Sequence, residues 1–279
     1  MTTILDVLEK GAKFLDSKGI KDARLNMELL VAHELGLKRM DLYLRFDQPL
    51  KEAQIIQLRE TLKLRGQHTP IQHIIGKTSF HHLEFRCDHR ALIPRPETEE
   101  LVEITLALNF PKPARILDLG CGSGVLGLSI ANKLGTECEQ LILADLSTEA
   151  LSLARENSEN LNIPAECIQS DLFSKIEGTF DLIVANLPYI PETERDSLEP
   201  EVLHDPEMAL FSGEDGLDLL RRFSRECLNF LKPKGVIALE VGHQQGQQVA
   251  ELLQSDGLEE IELRTDLCGI KRFPLARKP

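Results

Sequence analysis

Apolar residues recur at helical spacing through the first 75 positions. Leu5, Leu8, Ala12 and Leu15 follow a Thr3-Ile4-Leu5-Asp6 start in which the threonine hydroxyl and the carboxylate can cap one another's backbone N–H groups. Asp22 opens a second segment, where Leu25, Leu29 and Ala32 share a face until Gly36 offers a left-handed stop. A third segment covers Met40–Phe46, and a fourth carries Ile55, Leu58 and Leu62. From Thr69 to Pro96 the pattern shortens to β-prone pieces at Ile71–Ile75, Ser79–Phe85 and Ala91–Ile93, which reads as a hairpin connector closed by Pro94-Arg95-Pro96. A helix is expected from Thr98, because Glu99 and Glu100 stand in a first turn where the macrodipole favours acids, and Pro111 and Pro113 end it.

Beyond that point strands and helices alternate. Ile116–Leu119, Leu141–Ala144, Cys167–Ser170, Phe180–Ala185 and Val236–Glu240 read as strands, while Val125–Leu134, Thr148–Asn160, Leu217–Leu231 and Gln244–Leu253 read as helices. Such alternation predicts an α/β fold with a parallel sheet covered on both faces. Glu260–Arg264 and Arg272–Leu275 have no helix between them, so the sheet is expected to close with an antiparallel pair. The predicted domains are a small N-terminal helical domain over 1–75, a β-hairpin connector over 76–97 and an α/β domain over 98–279.

Composition narrows the class. With 279 residues, 42% of them hydrophobic and 28% charged, the chain can bury a sizeable core. It has no apolar run of the roughly 20 residues a spanning helix needs, and its start is amphipathic rather than signal-like, so a protein that is neither exported nor membrane-bound is expected. The six cysteines form no Cys-x-x-Cys pair and have no histidine at zinc spacing, so neither a metal nor a disulfide framework is expected. The formal charge of −13 is unevenly shared: residues 1–75 carry 12 Lys+Arg against 10 Asp+Glu, and the remaining residues 20 against 35. That balance opposes non-specific attraction to a phosphate backbone.

The densest chemistry lies in Ile116-Leu117-Asp118-Leu119-Gly120-Cys121-Gly122-Ser123-Gly124-Val125-Leu126-Gly127, an apolar strand, a glycine-rich turn and a helix. Gly122, Gly124 and Gly127 fit the dinucleotide fingerprint, whereas Asp118, Gly120, Gly122 and Gly124 fit the turn of S-adenosylmethionine (SAM) methyltransferases. Asp118 favours the second reading, since its carboxylate would repel a pyrophosphate but can hold a methionine ammonium. Asp145 ends the next strand, where it can accept both ribose hydroxyls of either cofactor. Asp171 is a candidate partner for the adenine amine, with Leu172 or Phe173 against the ring. Cys121 and Ser123 complete the turn, and Cys121, with no histidine beside it in sequence, is a small residue that fits rather than a nucleophile.

A second candidate stands at the end of strand Phe180–Ala185, in Asn186-Leu187-Pro188-Tyr189. An amide or exocyclic amine is a poor nucleophile because its lone pair is delocalised. An enzyme that methylates it must aim acceptors at its N–H groups, and the Asn186 side-chain oxygen and the Leu187 carbonyl are suitable. Pro188 biases Leu187 towards an extended conformation, and Tyr189 can cover a planar substrate and face positive charge.

On these residues the chain resembles the peptide chain release factor glutamine methyltransferases, the PrmC/HemK family, whose signature is Asn-Pro-Pro-Tyr behind a SAM fold. Pro70-Ile71-Gln72-His73-Ile74-Ile75-Gly76, Leu92-Ile93-Pro94-Arg95-Pro96-Glu97-Thr98-Glu99, His204-Asp205-Pro206-Glu207-Met208-Ala209-Leu210 and Glu240-Val241-Gly242-His243-Gln244-Gln245-Gly246 are similar to other family stretches. The resemblance implies a Rossmann-like methyltransferase sheet, SAM as cofactor and cytoplasmic release factors as partners. It also implies methylation of the glutamine in their Gly-Gly-Gln motif, with Arg95 and Pro96 bordering the glutamine pocket. Leu187 departs from the signature, and Asn-Leu-Pro-Tyr is what the ribosomal RNA adenine dimethyltransferases carry. The alternatives are therefore an adenine methyltransferase acting on RNA or DNA, and a SAM-binding scaffold for translation factors without turnover.

Overall fold

The computed structural model describes all residues, 1–279, and divides them into two compact units. The first comprises Met1–Lys77 with the excursion Glu199–His204. Its helices are α1 (Ile4–Ser17), α2 (Ala23–Leu35), α3 (Glu52–Arg65) and α4 (Ile71–Ile75), with a 3-10 turn at Arg39–Leu44. Thr3 and Asp6 form the expected capping box, the Thr3 N–H donating to Asp6 at 2.9 Å and the Asp6 N–H to the Thr3 hydroxyl at 3.3 Å. Gly36 ends α2 at φ 62°. Ile4, Leu8 and Leu15 of α1 pack on Met27, Leu30 and Val31 of α2, with Leu42 and Leu58 closing this core.

Two buried charges are held inside that unit. Glu28 accepts hydrogen bonds from Arg24 (2.9 Å), Arg39 (3.0 Å) and Tyr43 (2.9 Å), which outweigh burial and keep its carboxyl below the usual range. Arg65 donates to Asn26 at 2.7 Å and to the Thr69 carbonyl at 3.2 Å, and its second terminal nitrogen pairs with Glu201.

Ile71–Ile75 is a helix, not the strand its isoleucines suggest. Pro70 is extended at the helix entrance and Gly76, at φ 77°, stops the chain one turn later. The Ala91–Ile93 strand is absent as well. The Ile93 N–H donates to the Asp205 carboxylate at 3.1 Å instead of to a neighbouring strand. The hairpin itself is β1 (Lys77–Phe80) and β2 (Leu83–Arg86), turned by His81 and His82 at φ 46° and 64°.

The second unit, Thr78–Leu198 with Asp205–Pro279, holds the remaining elements. These are α5 (Pro96–Leu106), β3 (Ala114–Leu119), α6 (Val125–Leu134), β4 (Cys138–Asp145), α7 (Thr148–Leu161), β5 (Glu166–Gln169), β6 (Phe180–Ala185), α8 (Asp218–Phe230), β7 (Leu231–Leu239), α9 (Gly246–Ser255), β8 (Glu259–Thr265) and β9 (Lys271–Arg277). They build one seven-stranded sheet in the order β5-β4-β3-β6-β7-β9-β8. The first five strands are parallel, β9 runs antiparallel to β7, and β8 pairs antiparallel with β9.

Side chains alternate between two cores. Ile116, Leu141, Leu143, Leu182, Val184, Val236 and Ala238 face the core that includes α5 and α6 residues, whereas Leu117, Ile142, Ile183, Ile237 and Leu239 face the one formed with α8 and α9. Strands buried on both faces need unbroken apolar runs, and β6 is buried at all six positions. From β3 the chain winds outward through β4 to β5 and then returns to β6 on the other side. The carboxyl ends of β3, β4 and β6 therefore diverge around a crevice, the place where open α/β sheets bind ligands.

Asn157 of α7 fastens that edge. Fully buried, it accepts from the Arg86 N–H at 2.7 Å and donates to the carbonyls of Arg86 (3.2 Å) and Ser123 (3.0 Å), tying the hairpin to the glycine turn. Replacing it by alanine leaves those groups unpaired, so Asn157→Ala is expected to cost about 2–4 kcal/mol in urea unfolding. A loss under about 0.5 kcal/mol, the range of an ordinary surface substitution, would show that the tie contributes nothing.

Candidate active site

The crevice is open to solvent, and most of the sequence-predicted residues meet there. Asp118, Gly120, Cys121, Gly122 and Ser123 line it from the turn, Asp145, Asp171 and Leu172 from the neighbouring strand ends, and Asn186, Leu187 and Pro188 from the end of β6. Arg95 lines it from the segment before α5. Gly124, Pro96 and Tyr189 lie outside that lining.

The turn is shaped by backbone hydrogen bonds and by two carboxylates. Gly120, Gly122 and Gly124 adopt φ 72°, 54° and 80°, a left-handed run that side chains resist. The N–H groups of Gly120 and Cys121 both donate to the Ala144 carbonyl, at 2.8 and 3.0 Å, which pins the turn to β4. Asp145 spans the next gap, accepting from Gly122 N–H at 2.9 Å and Ser147 N–H at 2.8 Å. Asp118 reaches beneath the turn to accept from Gly127 N–H in the first turn of α6, at 2.8 Å.

Both carboxyls are held uncomfortably. Asp118 is 1% exposed, and burial with the nearby Asp145 charge pushes it up to about 7 against the opposing Gly127 hydrogen bond. Burial likewise raises Asp145, opposed by hydrogen bonds from Ser147, Gly122 and Leu146. The Cys121 thiol is raised well above its ordinary value by burial and by these two carboxylates, so it is no nucleophile at neutral pH. Asp171 is half-exposed and its carboxylate accepts from Arg222 at 3.0 Å, while Leu172, at φ 46°, is buried.

At the other end, Asn186 donates from its amide nitrogen to the Thr98 hydroxyl at 3.2 Å, and Thr98 donates to Glu240 at 2.7 Å. Leu187 is 3% exposed and its side chain rests on the turn; a Cβ added to Gly120 would meet Leu187 Cδ2 at 2.8 Å. The Tyr189 carbonyl accepts from Gln245 at 2.8 Å, and burial raises its phenol far above the usual range. Arg95 pairs at 2.7 Å with Asp205, a buried carboxyl that burial pushes up to about 6.

Thr98, Glu240 and Asp205 were not singled out from sequence. Glu240 had a usable signal, because it follows the apolar run Val236–Leu239 as Asp145 ends Leu141–Ala144, an acid at the carboxyl edge of a buried strand. Thr98 and Asp205 had none, since their partners lie between 88 and 142 residues away.

Fold and crevice define a SAM-dependent methyltransferase. Residues 6–76 match the PrmC N-terminal domain and residues 101–215 the methyltransferase small domain. The chain is 35% identical to a release factor glutamine methyltransferase of Deinococcus radiodurans over 98% of both chains. It is 42% identical to one of Streptococcus pneumoniae over 71% of this chain and 70% of that one. A solved ribosomal protein L11 methylase from Lactobacillus delbrueckii subsp. bulgaricus shares the fold at 20% identity and TM-score 0.50, over 66% of this chain and 81% of that one. The chain belongs to the release factor glutamine methyltransferase family.

Gly127 gives a direct test of the turn. A Cβ there would lie 2.8 Å from Asp118 Cβ and 2.9 Å from its carboxylate, with Leu143 Cδ2 at 3.0 Å. Alanine normally stabilises a helix over glycine by up to about 1 kcal/mol, but overpacking costs about 1–3 kcal/mol and should prevail. Gly127→Ala is thus expected to lower stability in chemical denaturation and to weaken SAM in calorimetric titration. A stabilised variant with unchanged SAM affinity would contradict the close packing of Asp118.

Proposed function

We propose that this chain transfers the methyl group of SAM to the side-chain amide nitrogen of the glutamine in the Gly-Gly-Gln motif of peptide chain release factors. The observation that carries the reading is the Asn186 amide, whose nitrogen is engaged by Thr98 at the rim of the cofactor crevice. Its oxygen is then left to accept from an incoming amide N–H.

The residues present suit the cofactor. A buried, cation-free carboxyl at Asp118 matches an ammonium, and Asp145 keeps lone pairs for ribose hydroxyls beyond its two backbone bonds. Leu172 and Asp171 line the adenine end, with Gly120, Cys121, Gly122 and Ser123 forming the floor and Gly124 supporting it from outside the lining. Bound there, SAM supplies an electrophilic methyl group whose carbon–sulfur bond breaks as the amide nitrogen attacks.

The chain's own contribution is orientation. Asn186 Oδ1 and the Leu187 carbonyl fix the two N–H directions, and Pro188 restricts where that carbonyl points. Arg95, braced by Asp205, borders the substrate side, while Pro96 lies outside the lining. Tyr189, outside the lining, stays protonated and is no base. No general base is required, because methylation makes the nitrogen acidic enough to lose its proton to solvent.

The packing of Leu187 on Gly120 supports reading it as a filler that keeps its carbonyl in place, rather than as a pocket for a nucleobase. The excess of acids in residues 76–279 also supports a protein substrate over RNA or DNA. A substrate that works on ribosomes puts the enzyme in the cytoplasm, and no helix is long and apolar enough to cross a membrane. Residues 1–75 are the candidate surface for the body of the release factor.

Two measurements test the reading. Labelled methyl transfer offered to release factor, ribosomal RNA and DNA in parallel is expected to label only the release factor, and Asn186→Ala to slow it by about 100-fold with SAM affinity little changed. Labelling of RNA or DNA alone would overturn it. The ammonium contact makes SAM affinity depend on pH. Only ionised Asp118 attracts the cation, so affinity should fall by up to about tenfold per unit as pH drops below the raised value of about 7. Asp118→Asn should flatten that slope; an unchanged slope would remove Asp118 from cofactor binding.

A further inference from the structure

Thr98 lies in the first turn of α5 and Glu240 directly after β7, and both are buried, at 4% and 1% exposed. They meet Asn186 in one chain of hydrogen bonds: Asn186 Nδ2 to Thr98 Oγ1 at 3.2 Å, and Thr98 Oγ1 to Glu240 Oε2 at 2.7 Å. We propose that Glu240, acting on Asn186 both directly and through the hydroxyl of Thr98, is the positioning residue that decides which end of the Asn186 amide faces the substrate. This rests on the role given to Asn186 above and extends it to Thr98, which lines the crevice, and to Glu240, which does not.

The two ends of a carboxamide have nearly the same shape, so packing cannot choose between them; only hydrogen-bond polarity can. An ionised carboxylate accepts and never donates. Thr98 must therefore spend its single hydroxyl proton on Glu240, and its remaining lone pairs can only accept. Asn186 is obliged to present its NH2 group to Thr98 and so turns its oxygen outward. In the reversed amide, an NH2 group would meet the NH2 group of the glutamine, donor against donor.

The polarity depends on the charge of Glu240. Arg272 of β9, Glu97 and Thr98 of α5, and Asn186 and Tyr189 after β6 are the charged and polar groups that act on it or feel its charge. Burial, helped by Glu97, pushes the carboxyl up to about 7 against the hydrogen bonds from Thr98 and Asn186 and the Arg272 charge. Above that pH the carboxylate orders the chain. Below it, a protonated Glu240 can donate to Thr98, freeing the threonine proton to point at Asn186 and removing the preference between the amide's two ends.

The test uses the full chain with SAM and release factor both saturating, so that kcat is read apart from the SAM affinity that Asp118 governs. Wild-type kcat is expected to fall as pH drops through about 7. Glu240→Gln is expected to lose that limb and to run about tenfold slower at high pH, because its own amide can either donate or accept. Thr98→Val, similar in shape but without the hydroxyl, should lower kcat by about 10–100-fold with KM for SAM unchanged, and Thr98→Ser should restore it to within about threefold. Thr98→Val should add nothing in an Asn186→Ala background, since the two act as a unit. Thermal unfolding of each variant identifies any that fail to fold; should Glu240→Gln be among them, the Thr98 pair and the wild-type limb decide. Wild-type kcat in folded Thr98→Val, or an acid limb that survives in Glu240→Gln, overturns the proposal while the function stands if Asn186→Ala remains slow. If wild type fails to methylate release factor at all, it is the functional reading that falls.

Discussion

Acidic side chains at the carboxyl ends of strands buried on both faces impose the constraint on which the rest depends. Asp118 in β3, Asp145 at the end of β4 and Glu240 after β7 each carry a carboxyl into an apolar sheet, and burial raises all three. A carboxylate in that setting must be met by donors. For Asp118 and Asp145 the donors are backbone N–H groups of the glycine turn and of the starts of α6 and α7. The shape of the turn is thus a consequence of satisfying two acids as much as of glycine freedom. For Glu240 the donor is a side chain, Thr98, and through it the constraint passes to Asn186.

The same three acids differ in what they leave available. Asp118 receives its Gly127 bond in a buried setting beside the Asp145 charge, the setting in which an ammonium is proposed to sit. Asp145 is better supplied with N–H donors and faces the neighbouring stretch of the cavity. Glu240 is turned away from the lining, and its influence there is indirect. In the proposed reading, charge that would be a liability in an ordinary core is divided between holding a cofactor and ordering the amide beside it.

Rigidity around the site comes from ties that cross between elements. Asn157 joins the hairpin to the turn, the Arg95–Asp205 pair joins the segment before α5 to the stretch after the Glu199–His204 excursion, and Leu187 rests on Gly120. Each fixes backbone next to the cavity, so Asn186 and the turn are held relative to each other by the fold. Preorganisation of this kind suits a transfer in which placing the nucleophile is most of the task.

Periodicity was enough to foresee the helical start, the strand and helix alternation and the antiparallel close, because each is written in local spacing of apolar residues. The placement of Asp118, Asp145, Asn186, Leu187 and Pro188 at the crevice was legible for a related reason, since they stand at the ends of apolar runs where an α/β sheet opens, whereas Tyr189 lies outside the lining. Local signals failed where a long-range partner decided the outcome. Ile93 gave its N–H to a carboxylate 112 residues away, whereas Ile71–Ile75, with the composition of a strand, is a helix bounded by its own neighbours Pro70 and Gly76. The contact of Thr98 with Asn186 and Glu240 was likewise invisible, although all three residues lay in stretches already singled out. Spacing along a chain reports which face a residue takes within its own element. Which hydroxyl meets which carboxylate, and hence which way an amide must turn, is settled only when distant strand ends are brought to one edge and every buried donor has to find an acceptor.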